Sequence, residues 1–115
     1  MNELSALAKY KIEKIWQWRD KRGFFYCPYD MQTRHLFYTF RMIWNHSMPD
    51  EVRIKPYQHY VFSSFYTPEY MKEAIRFMGH ELFKRTDIKP QWRNELDFMA
   101  SHFIDRPVSI GELAL

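Results

Sequence analysis

One cysteine, three glycines and no uninterrupted hydrophobic run long enough for a leader or a membrane span define this chain of 115 residues by what it has little of. A lone Cys27 excludes an intrachain disulfide and a cysteine zinc cluster, and it suits a reducing, cytoplasmic setting. Glu3, Lys9, Lys11 and Lys14 break up residues 1–22, so neither secretion nor membrane insertion is expected. Gly23, Gly79 and Gly111 stand alone, and that excludes both a phosphate-cradling loop and a dinucleotide loop. The five histidines, at 35, 46, 59, 80 and 102, show neither HxxxH nor HExxH spacing. Cys27 lies between Tyr26 and Pro28 with no glycine elbow, the setting of an inert packed thiol. No metal, cofactor or catalytic residue is therefore expected, and no internal repeat or low-complexity tract is present.

Aromatic side chains are what the chain has in excess. Ten Phe, eight Tyr, four Trp and seven Met exceed what so small a core can enclose, so some are expected at the surface, where Tyr, Trp, Met and Arg are the enriched contact types. A hydrophobic content of 46% against 27% charged residues predicts one folded domain over residues 1–115. The formal charge of +3 is uneven: residues 1–46 hold eight bases against four acids, and the rest nine against ten. The amino-terminal part is thus the basic end, suited to an acidic partner, whether a protein patch or nucleic acid.

Periodicity predicts an all-α fold, a bundle of about four helices with an ordered irregular segment between the second and third. The first helix is expected over residues 3–21, with Leu4, Leu7, Ala8, Ile12, Ile15 and Trp18 on one face and Gly23 as its stop. Phe24, Phe25 and Tyr26 are expected to pack across the helix ends. The second runs from Asp30, read as its N-cap, to His46, burying Leu36, Phe37, Phe40, Ile43 and Trp44. Residues 47–66, punctuated by Pro49 and Pro56, are expected to wrap the bundle with Tyr57, Tyr60, Phe62 and Phe65 as a seal. Thr67-Pro68-Glu69 starts the third helix, which runs to about Arg85 with a stripe of Met71, Ala74, Ile75, Met78 and Leu82. Its outer face carries Glu69–Lys72, Glu73–Arg76 and Glu81–Arg85 spacings, the mark of solvated surface. Pro90 opens the fourth, with Trp92, Leu96, Met99, Ala100 and Phe103 aligned, and Ser109 to Glu112 has the spacing of a capping box on a short stub.

The outer arc of the second helix holds Met31, Arg34, His35, Tyr38, Arg41 and Met42 in place of the usual Glu and Lys. Arg34, His35, Tyr38, Arg41 and Met42 are accordingly the expected partner-binding residues of a small non-enzymatic protein that modulates or inhibits a larger macromolecule. Short chains without catalytic motifs are common among accessory proteins of phages and mobile elements, including blockers of host defence nucleases. The alternative is a nucleic-acid binder in which Arg19, Lys21 and Arg22 join that basic and aromatic face. A homodimer seam is a further use for the same arc. Arg41 and His46, five positions apart near a helix end, have a spacing that resembles the R-x4–6-H signature of HEPN-type ribonucleases. That resemblance covers six residues, with Met42 where the family has a polar residue. It implies a second alternative, an RNA-cleaving dimer in which Arg41 and His46 handle phosphate and proton.

Overall fold

The computed structural model describes residues 16–104. In chain order these form β1 (Trp18–Arg19), β2 (Phe25–Tyr26), a 3₁₀ turn at Pro28–Asp30, α1 (Thr33–Ser47), a second 3₁₀ turn at Asp50–Val52, α2 (Pro68–Lys84) and α3 (Pro90–Ile104). The fold is mostly helical, but with three α-helices and a two-stranded antiparallel sheet among the described residues instead of four helices. The helix expected over 3–21 is corrected from residue 16 onward. Its residues 3–15 and the expected stub at 109–112 lie outside the described residues.

The reason for that correction lies in Asp20-Lys21-Arg22-Gly23. Asp20 Oδ1 accepts hydrogen bonds from the backbone N–H of Arg22 at 2.9 Å and of Phe24 at 3.0 Å, while the N–H of Gly23 bonds to the Asp20 carbonyl at 3.0 Å. Gly23 takes φ +89°, where a side chain would strain the backbone. An Asp at the first turn position and a Gly at the fourth offer the chain a hairpin, and the Asp side chain competes directly with helical backbone bonding. Trp18 pairs with Tyr26 and Arg19 with Phe25. Trp18 is consequently buried and Arg19 faces outward, the alternation of a strand. The free edge of β1 is occupied by two phenols, Tyr66 just before α2 and Tyr70 in its first turn. Tyr70 accepts from Arg19 N–H at 2.9 Å and donates to the Gln17 carbonyl at 2.6 Å, and Tyr66 donates to the Arg19 carbonyl at 2.7 Å. Burial pushes both hydroxyls above the ordinary tyrosine range, so they remain donors.

Asp30 is not the cap of α1. Pro28 sets a 3₁₀ turn that closes through Asp30 N–H to Cys27 O and Met31 N–H to Pro28 O, and the helix begins at Thr33 behind Gln32. Met31 is thereby turned into the core, only 4% exposed, and not onto the outer arc. Leu36, Phe37, Phe40, Ile43 and Trp44 are all buried, as their spacing predicts. Each such large side chain contributes roughly 1.5–3 kcal/mol of burial.

α2 starts on Thr67, whose Oγ1 accepts from Tyr70 N–H at 3.1 Å, with Pro68 next. It lays Met71, Ala74, Ile75, Met78 and Leu82 against α1. A Cβ on Gly79 would stand 3.1 Å from Phe40 Cε1, so the absent side chain is what lets that ring lie on α2. α3 docks through Trp92, stacked on Phe37 at 5.0 Å and 15°.

Residues 48–66 contain only the second 3₁₀ turn, yet their backbone is pinned. Trp44 Nε1 donates to Val52 O at 2.8 Å, and the buried Asn45 amide donates to Ile54 O at 3.1 Å while accepting from Ile54 N–H at 2.7 Å. Phe62 and Tyr66 pack on the core from this segment. Tyr60 and Phe65 do not seal it, being 43% and 42% exposed. Phe24 and Phe25, expected across helix ends, are 57% and 55% exposed on the hairpin.

Candidate functional site

Tyr38, Arg41 and Met42 succeed one another along one side of α1, and the backbone pinned by Asn45 and Trp44 brings residues 56–60 alongside them. Between the two lies a groove of about 400 Å³, lined by Tyr38, Thr39, Arg41, Met42 and Asn45 from the helix and by Pro56, Tyr57, Gln58 and Tyr60 from the segment. The Lys55–Pro56 bond is cis, and Pro56 forms part of the wall. Arg53 braces the segment from behind: Nε donates to Met48 O at 2.8 Å, Nη1 to the Tyr57 hydroxyl at 2.7 Å, and the guanidinium lies 5.1 Å from the Tyr57 ring centre.

Arg41 forms the charged part of the groove. Its Nε stands 3.1 Å from Glu95 Oε1 of α3, with the two side chains 22% and 31% exposed. Both of these atoms are shut off from solvent, and neither is aligned into a hydrogen bond. The ion pair therefore holds the head of Arg41 in place without using its terminal nitrogens. Tyr38 stands at the rim, 42% exposed, its ring edge-on to Phe37 at 5.3 Å and to Trp92 at 5.8 Å. Met42 is half-buried against the core.

The five partner residues read from the sequence are thus divided. Tyr38, Arg41 and Met42 share the groove. Arg34 is exposed one turn earlier, its guanidinium 5.8 Å from the Tyr38 ring centre, and extends the rim. His35 is exposed on the other flank, edge-on to Tyr26 of β2 at 5.2 Å. Arg19, Lys21 and Arg22 are on the hairpin, away from the groove lining. Pro56, Tyr57, Gln58 and Tyr60 were not legible as a wall, because the bonds that carry them to α1 run to backbone atoms. Asn45, a polar residue amid an apolar helix face, was the one available signal.

Arg41 and His46 engage different neighbours. Arg41 reaches Glu95, whereas His46 lies edge-on to Phe62 at 4.5 Å. Burial against that ring, with His59 and Arg53 adding positive charge nearby, holds the His46 imidazole below its ordinary value. The helix-end position alone would have favoured the imidazolium. Among the described residues no cluster of three or more His, Cys, Asp or Glu is arranged to hold a metal, and no helix is long and apolar enough to cross a membrane. No protein-family model, curated protein or solved structure matches this chain.

Proposed function

We propose that this protein is a non-catalytic binding module that grips a segment of a larger protein partner in the groove between α1 and residues 56–60, and modulates or inhibits the partner by occupying it. One observation carries the reading: the groove gathers three tyrosines, a methionine and an arginine already fixed by Glu95. Tyr, Met and Arg are the side chains enriched at protein contacts, since rings and thioethers give area with few rotors, and a guanidinium presents a planar fork. Preorganisation by Glu95 on one side and Trp92 on the other lowers the ordering cost on docking. A groove of about 400 Å³ lies in the range that encloses a side chain or a short peptide segment.

The test is capture from native cells with the full chain as bait, set beside Tyr38→Ala and Tyr60→Ala. A partner enriched by the native chain is expected to fall at least tenfold with either variant, an anchor loss of about 1.4 kcal/mol or more, with far-UV circular dichroism unchanged. Capture that is equal for all three chains overturns the assignment.

A further inference from the structure

The β1–β2 hairpin is a second surface, and its composition differs from that of the groove. Its turn presents Lys21 and Arg22 to solvent, the Arg22 side chain 70% exposed. The one acid of the turn, Asp20, is directed inward by bonds from Arg22 N–H, Phe24 N–H and the Tyr26 hydroxyl, with its side chain 21% exposed. Partial burial alone would raise its carboxyl, but those donors and the Arg22 charge together hold it below the ordinary range. Three phenylalanines stand at this end with 42% or more of their surface in water: Phe24, Phe25 and Phe65. Two carry a guanidinium on one face, Arg19 at 4.6 Å from the Phe65 ring centre and Arg22 at 5.1 Å from that of Phe24.

We infer that this hairpin is a stacking platform for single-stranded nucleic acid. Arg22 and Lys21 meet phosphates, and Phe24, Phe25 and Phe65 take bases on their open faces. Three features favour that occupant. The outward charge is positive, because Arg19, Lys21 and Arg22 stand against one acid, Asp20, whose Oδ2 lies 3.8 Å from Arg22 Nη2. Exposed rings beside guanidinium groups offer what an unpaired base and its phosphate jointly require, a π face and a cation. Phe24 and Phe25 are consecutive in an extended ribbon, so they point to opposite faces. A flat lipid surface can take only one of those faces, whereas a flexible strand can pass around the turn and use both. A duplex keeps its bases stacked and leaves the rings unused.

The full chain is titrated into a fluorescein-labelled oligouridine of about 20 nucleotides, a matched duplex and vesicles of phosphatidylcholine with phosphatidylserine. Expected is binding of the single strand that weakens steeply between about 50 and about 200 mM salt. Phe24→Ala and Phe25→Ala should each weaken it roughly fivefold or more. Arg22→Ala should lower the slope of log affinity against log salt by about 0.7, and Lys84→Ala, a cation at the far end of α2, should leave it unchanged. All four substitutions fall on exposed side chains, so the fold is retained. The inference is overturned by native protein that leaves the oligonucleotide free at low salt, or by ring variants that bind like the native chain. It is equally overturned by a duplex bound as tightly as the single strand, or by vesicle binding in place of oligonucleotide binding.

Discussion

Arg85 shows how far a single side chain can depart from its sequence neighbourhood. Its spacing from Glu81 places it in a solvated i,i+4 pair, and the pair does form, at 3.1 Å. The guanidinium is nevertheless only 14% exposed, because its other nitrogens donate to Met31 O at 2.6 Å, Thr33 Oγ1 at 3.0 Å, Pro28 O at 3.1 Å and Tyr29 O at 3.3 Å. These carbonyls belong to a turn more than 50 residues earlier in the chain, which no local pattern can reveal. Arg85→Ala removes the donors to this turn and the charge opposite Glu81, and should cost about 3 kcal/mol in urea unfolding. Arg85→Lys should recover less than half of that, because an ammonium cannot reproduce the planar fork. Asn45 has a similar role on a smaller scale. Asn45→Ala strips both backbone groups of Ile54 and should cost about 2 kcal/mol while loosening the groove wall. His46 sets a pH dependence. Its folded value lies below the unfolded 6.5, so the stability it contributes is complete above that pH and is lost as pH falls through the folded value. The thermal midpoint should therefore drop between about pH 7 and about pH 5, and the drop should be smaller in His46→Leu.

Among the elements, α1, α2 and α3 were legible because each repeats apolar residues at helical spacing and, for α2 and α3, begins at a proline that suits the first helical position. The hairpin was not. Trp18 fits a helical stripe and a strand face equally well, and two-residue strands are too short for alternation to decide. The deciding signal is the Asp20 to Gly23 turn, in which Gly23 serves a positive φ and not a helix end. Gly23→Ala should accordingly cost about 1–2 kcal/mol, measured by chemical unfolding, although its side chain would meet nothing closer than Arg19 Nη2 at 3.8 Å. The start of α1 was misplaced by a comparable effect: Asp30 is a favourable cap by type, but the Pro28 turn and the Arg85 bonds delay the helix to Thr33.

Across the molecule, α1 is the element on which the other helices and the pinned segment are registered: α2 packs along one side, α3 through the Phe37–Trp92 stack, and residues 52–54 through Trp44 and Asn45. The outer arc of α1 was legible as a contact face from its residue types, but its division was not. Arg41 and Met42 are drawn halfway into the body by α3 and the core, and the groove exists only once residues 56–60 are placed. Packing between α1 and α2 sets the tolerance of the whole. Gly79→Ala gains up to about 1 kcal/mol of helix propensity. It drives a methyl against Phe40, a ring that is 1% exposed and has nowhere to retreat. The balance should be a net loss of about 1 kcal/mol in the thermal or urea transition.

The two phenols that occupy the rim of β1 have a consequence for behaviour at high concentration. Unsatisfied amides and carbonyls along so short a ribbon would otherwise recruit the same ribbon of another molecule. Tyr66→Phe with Tyr70→Phe should thus reveal itself first as turbidity and slow precipitation on concentrating, while the helical content of the remaining clear protein is unchanged.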